Sequence, residues 1–163
     1  MHHVRRSVIV DAPIALTIEV SNQIESWPQM MDDYVAAEVL SQEGAKMWFR
    51  LSHANGSSWT SWRVVHPEAG VAIAERHEPR APFRFMQHAW IYRSLAPERT
   101  EMTWEQTFEL PDAAADQETR VAEYLVTQTE RNQKTMKNYI ERTFQQRLKC
   151  SSVVTPSGST AHE

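Results

Sequence analysis

Apolar and polar residues alternate along most of the chain up to Leu110, after which the period changes to that of a helix. Val4 to Val10 reads as a first strand, broken at Asp11, Ala12 and Pro13, with Pro13 placed to open a helix. Ile14 to Val20 makes one or two helical turns, and Trp27-Pro28 starts a second short piece within Ser21 to Met31. Strand-like runs follow at Tyr34–Leu40, Lys46–Ser52, Ser58–Val65, Val71–His77, Phe83–Ser94 and Glu101–Leu110. Turn signals separate them, Asn55-Gly56 the strongest. In the last run Met102, Trp104, Gln106, Phe108 and Leu110 share the inward face. From about Asp116 to Leu148 there is neither Pro nor Gly, and Leu125, Thr129, Asn132, Met136, Tyr139, Ile140 and Thr143 fall on one stripe. Asp116 is the expected N-cap.

The order is strand, two short helices, six strands, one long helix. Strands joined by short turns pair antiparallel. The predicted fold is α+β: a seven-stranded curved antiparallel sheet gripping a long C-terminal helix, with an interior cavity where one helix fails to fill a wide concave face. Residues 1–149 form the expected single domain, and 150–163, rich in Ser, Thr, Pro and Gly, a disordered tail.

Composition narrows the function. The net charge is −4, which argues against non-specific nucleic-acid binding. No apolar run is long enough to span a bilayer, and no signal-peptide pattern precedes the first strand, so the expected setting is cytoplasmic with no membrane partner. The single cysteine, Cys150, gives no disulfide. None of the seven histidines forms a ligand pair within an element, so neither a metal nor another cofactor is expected. The four glycines leave no room for a phosphate-binding or dinucleotide loop.

The candidate chemistry begins with Trp59, Ser61 and Arg63, which share one face of a strand. Either that face is wet, or it lines a cavity that wants a fixed positive charge; the opposite choice buries Thr60, Trp62 and Val64, and alternation leaves both open. Tyr34 is a phenol that either donates into a pocket or keeps its hydroxyl in water. Asp32 and Asp33 read as a solvated turn, or as partners for an inward arginine. His77 and His88 are the two histidines inside strands that merit weighing, and His88 shares a face with Met86 and Trp90. Dense aromatic and methionine positions, Trp27, Met31, Trp59, Met86 and Trp90 among them, fit either a plain core or a pocket for a flat, conjugated ligand. Thr129 and Asn132 set polar groups on the stripe that faces the sheet, and those need partners.

Taken in order, Asp11-Ala12-Pro13, Trp27-Pro28, Phe49-Arg50-Leu51, Asn55-Gly56, the row from Trp59 to Arg63, Pro82-Phe83, Trp90-Ile91-Tyr92-Arg93, the run from Thr100 to Trp104, Gln106, Phe108 and Asn132 resemble the single-domain aromatase/cyclases of bacterial type II polyketide synthesis, in the START/Bet v1-like helix-grip superfamily. The resemblance runs from about Val8 to Ile140 and rests on order and spacing, not on one motif. It implies an aldol cyclisation and dehydration of a poly-β-ketone carried on an acyl carrier protein, beside the ketosynthase of a type II synthase. It implies Arg63, Tyr34 and Ser61 as reactive groups. Trp27, Met31, Asp33, Trp59, His77, Met86, His88, Trp90, Thr129 and Asn132 then fall on substrate-binding positions. His77 stands where the family has a second pocket arginine, with Arg76 next to it, and His88 where it has an apolar residue. The alternative is a non-catalytic helix-grip carrier of a lipid, quinone or pigment.

Overall fold

The computed structural model describes residues 1–153. Its elements are β1 (His2–Val10), α1 (Ile14–Ser21), a 3-10 turn (Ile24–Ser26), α2 (Trp27–Met30), β2 (Tyr34–Glu43), β3 (Lys46–His53), β4 (Ser58–His66), β5 (Val71–Glu78), β6 (Phe85–Ala96), β7 (Arg99–Glu109), a second 3-10 turn (Asp112–Gln117) and α3 (Glu118–Ser152). The seven strands form one antiparallel sheet in the order β1-β7-β6-β5-β4-β3-β2. Sequential strands pair as hairpins except β1, which crosses to β7 because the two short helices separate it from β2. This is the helix-grip architecture.

The long helix begins later than Asp116. Pro111 opens a 3-10 turn, its carbonyl accepting the Ala114 amide at 2.8 Å, and α3 starts at Glu118 without a side-chain cap. At its far end α3 continues through Cys150 to Ser152, so the first residues of the predicted tail are helical; the rest of that prediction, residues 154–163, lies outside the described residues. Along α3, Leu125, Thr129, Asn132, Gln133, Met136, Ile140 and Phe144 are buried; Tyr139 and Thr143 of the predicted stripe are half-buried, and Gln133 and Phe144 take inward places instead.

Two apolar clusters hold the helix on the sheet. The larger joins α1 and α2 to Phe49, Leu51, Trp90, Trp104 and, on α3, Met136, Ile140 and Phe144. The smaller gathers Val4, Met86, Phe108, Leu110 and Leu125. Both supply walls to one cavity. Gly70, in the turn before β5, sits at φ +63°, and a Cβ there would meet the Tyr92 carbonyl oxygen at 2.7 Å. The turn can press onto β6 only because glycine has no side chain. The Tyr92 amide bonds back to the Gly70 carbonyl at 2.8 Å.

Candidate active site

A cavity of about 330 Å³ opens between the concave sheet and α3. It is walled by aromatic and apolar side chains, Trp27, Phe49, Trp59, Met86, Trp90, Trp104 and Leu125 among them. Trp90 and Trp104, cross-strand neighbours on β6 and β7, stack with centroids 4.0 Å apart and planes 2° from parallel. Trp27 stacks on Trp90 from the α2 side at 5.6 Å. The stacked tryptophans give the cavity a rigid π-surface, fitted to a flat ligand.

Arg63 points inward. It is 1 % exposed and lines the cavity, so the open choice on β4 falls to the Ser61–Arg63 face. Its guanidinium lies over Trp90 at 4.1 Å and Trp27 at 5.6 Å. Its Nε donates to Asn22 Oδ1 at 2.7 Å, and it makes no salt bridge among the described residues. Its Nη2 is buried with no partner. Asn22 is the C-cap residue of α1; its Nδ2 donates to the Ile18 carbonyl at 2.7 Å and to the Tyr92 hydroxyl at 3.1 Å. The Tyr92 hydroxyl also meets Ser21 Oγ at 2.8 Å. Neutral groups thus steer the cation without neutralising it. Burial pushes the guanidinium down to about 10, with the Tyr92 oxygen acting the other way, and it stays charged at neutral pH.

Pairing across the sheet runs Arg63, Ala74, His88, Gln106 in one row. Ala74 is small, so His88 shares the cavity with Arg63. Burial first, then the positive fields of Arg63 and Arg76, push the imidazole down to about 4 and keep it neutral at physiological pH. Gln106 Oε1 and Trp104 Nε1 are further buried polar atoms of this floor with no partner.

Tyr34 lines the cavity beside Trp27, Trp59 and His53. Burial, and after it the Asp33 charge, push its phenol up to about 12 while Arg76 pulls the other way. At neutral pH Tyr34 is a hydrogen-bond donor and not a base. Ser61, buried on the Arg63 face, also lines the cavity, as do Met31, Trp59 and Met86.

Two predicted binding residues sit elsewhere. His77 is exposed and packs edge-on against Trp48 at 5.1 Å. The reason is alternation along β5: Ala72, Ala74 and Arg76 take the inward positions and His77 faces outward, where a bulge also leaves it unpaired between Thr60–Glu78 and Ser61–Arg76. Arg76 takes the inward position, lying over Trp59 at 4.2 Å with its Nε on the Pro79 carbonyl (2.9 Å) and its Nη2 on the Ala81 carbonyl (2.7 Å). Alternation from Ala72 and Ala74, both buried, is the signal that would have found it. Asp33 is the other. It stands behind the wall, pairing with Arg131 and accepting Asn132 Nδ2 at 3.0 Å. Burial works against its charge, but the hydrogen bonds from Arg131 and Asn132 outweigh it and hold the carboxyl below the usual range. Asn132 and Thr129 line the cavity from α3, and Asn132 Oδ1 and Thr129 Oγ1 are buried without partners. Asn22 and Tyr92 were not singled out as site residues from sequence, since nothing local ties either to Arg63. Among the described residues no cluster of His, Cys, Asp or Glu could hold a metal, and no helix is long and apolar enough to cross a membrane.

Residues 1–148 match the family model described as polyketide cyclase/dehydrase and lipid transport. A Streptomyces cyaneus protein named as a candidate polyketide cyclase is 36 % identical over 120 residues, covering 70 % of this chain and 78 % of that one. The granaticin polyketide synthase bifunctional cyclase/dehydratase of Streptomyces violaceoruber is 27 % identical over 115 residues, 69 % of this chain but 36 % of that protein. The fold is that of the aromatase/cyclase Zhui from Streptomyces sp. R1128, with a TM-score of 0.76 at 23 % identity over 94 % of this chain and 99 % of that one.

Proposed function

Since the chain belongs to the polyketide cyclase/dehydrase and lipid transport family, we propose that its cavity closes and aromatises a ring on a poly-β-ketone chain, presented by the acyl carrier protein of a type II synthase. The observation that carries this is Arg63: a buried guanidinium with no salt bridge and one unpartnered nitrogen among the described residues, at the wall of an aromatic cavity. A buried charge left without an ionic partner costs several kcal/mol. An oxygen that gains negative charge during a reaction would offset that cost.

The chemistry suits those residues. A methylene between two carbonyls is acidic enough to form an enolate without a strong base. In an aldol closure the enolate carbon bonds to a second carbonyl carbon, and that carbonyl oxygen becomes an alkoxide. Arg63 stabilises the enolate or the alkoxide with fixed charge and a planar fork of donors. Tyr34, protonated with its acidity pushed to about 12, donates to the attacked oxygen. Loss of the hydroxyl as water, with an α-proton, then gives an enone that enolises to the aromatic ring. Ser61 orients a ketone or water beside Arg63. The stacked Trp27, Trp90 and Trp104 hold the chain flat, which supplies most of the selectivity through positioning.

The test is a reconstituted minimal synthase read by its ring pattern. Arg63→Ala should lower directed cyclisation by about 10²–10³-fold, the cost of one oxyanion donor. If Arg63→Ala and Tyr34→Phe both leave the ring pattern unchanged, the assignment fails. Retention of the finished aromatic with no change in ring pattern, seen by native mass spectrometry, would instead support a carrier.

A further inference from the structure

We infer that the α3 wall of the cavity reads a hydroxyl group, through an Asn132 amide locked in one orientation by Asp33. A ligand built for this site therefore carries an enol or phenol O–H toward α3 as well as an oxygen for Arg63.

The argument begins with what a carboxylate can do. Ionised Asp33 only accepts hydrogen bonds. It takes one from Arg131 and one from Asn132 Nδ2, at 3.0 Å. Turning the amide over would set its oxygen against a carboxylate oxygen with no proton between them. The flip is therefore closed, and the remaining polar atom of the amide is an acceptor by necessity. That atom, Oδ1, is buried without a partner, on a residue 5 % exposed that lines the cavity. One turn earlier Thr129 presents a second unpartnered oxygen. Across the cavity the unpartnered Arg63 Nη2 and Trp104 Nε1 are donors only, and Gln106, whose Oε1 is also unpartnered, carries an amide that no carboxylate fixes and that can turn either atom to the ligand.

A ketone answers the donors but offers nothing to Asn132. An enol or a phenol does, and a ligand that leaves the buried carbonyl oxygen unanswered binds more weakly. The site therefore discriminates tautomers: the keto end lies at Arg63 and the enolised or aromatised end at α3. This rests on the polyketide reading only for the origin of that hydroxyl. Asp33 is a positioning residue in it, because it touches Asn132 and not the ligand.

The experiment is calorimetric titration of the intact protein with 2-hydroxyanthraquinone and 2-methoxyanthraquinone, below the pKa of the phenol. Both ligands offer the same two carbonyl oxygens, and only one offers an O–H. The native protein should bind the hydroxy compound about three- to tenfold more tightly, the worth of one hydrogen bond. Asn132→Leu, which keeps bulk but removes the acceptor, should bring the ratio to about one. Asp33→Ala should lower it too, because the amide can then turn. Arg131→Gln should leave it unchanged, since Asp33 still receives the Asn132 amide. Both of the last two variants lose the ion pair, so general destabilisation cannot explain a difference between them. A native ratio of one, failure of both ligands to bind, or a ratio that survives in Asn132→Leu would overturn the inference. No turnover is involved: a protein that keeps the ratio but directs no cyclisation refutes the proposed function alone, and one that cyclises with a ratio of one refutes this inference alone.

Discussion

Asn132 lines the cavity and Asn22 stands behind Arg63, and each has its Nδ2 tied by another group. The Ile18 carbonyl, in the last turn of α1, holds Asn22, whereas the Asp33 carboxylate holds Asn132. Both amides are thereby turned to present an oxygen. Asn22 Oδ1 is met by the protein's own Arg63, and Asn132 Oδ1 by nothing among the described residues. The first amide aims a cation; the second is an acceptor left over. The charges differ in the same way. On the sheet side the cation is uncompensated, held by neutral groups, so its field is available to an oxygen that becomes negative. On the helix side the anion is neutralised by Arg131, so only the neutral amide is presented. A polar group at a cavity wall has its task assigned by the group behind it.

This contrast breaks most visibly at Asn22. Asn22→Leu leaves the Arg63 Nε buried without its acceptor, and should cost about 1–3 kcal/mol in urea unfolding as well as slowing cyclisation. If stability and cyclisation both hold, Arg63 does not depend on that amide.

Acid should act on the two walls in separate windows. His88 is held to about 4 in the folded protein against an ordinary 6.5. As pH falls from 6.5 toward 4 the unfolded chain takes up a proton that the folded one refuses, and stability is lost across that window. His88→Phe should flatten this part of a Tm-against-pH curve. Asp33 is held below its ordinary 3.8, so its contribution is present above that pH and is lost as pH falls further. Asp33→Ala should leave the upper window unchanged. A curve with the same slope between pH 6.5 and 4 in His88→Phe would show that the imidazole is not desolvated.

Asn132→Leu is expected to change stability by less than about 1 kcal/mol, because it removes an unpaired acceptor while costing Asp33 one donor. A loss as large as that of Asn22→Leu would mean that Asn132 is structural. The smallest effect belongs to Arg131, whose side chain is half exposed. Arg131→Gln should cost about 0–1 kcal/mol, shrinking in high salt, as exposed pairs do.

Much of this arrangement was legible in the sequence. Period-2 alternation, the Asn55-Gly56 turn and the long stripe of α3 predict the seven strands and the gripping helix, because strand and helix periods are local properties of the chain. Thr129 and Asn132 stand out in it as polar residues on an apolar stripe. Strand alternation paired Arg63 with Ser61 and left their face undecided, since Trp59 and Trp62 make both faces of β4 plausible. The resemblance turned them inward, where they lie. It also put His77 in the pocket, whereas alternation from the buried Ala72 and Ala74 turns Arg76 inward and His77 out.

The sequence by itself determined the elements, their order and the stock of aromatic and polar side chains that a cavity could use. Only the tertiary structure decided which of those groups meet. Asn22 reaches Arg63 across 41 positions of chain, and Asp33 reaches Arg131 across 98. Such pairings are set by the curvature of the sheet and the seat of α3 upon it. Whether an amide presents its oxygen or its nitrogen depends on the partner behind it, and that partner comes from a distant part of the chain.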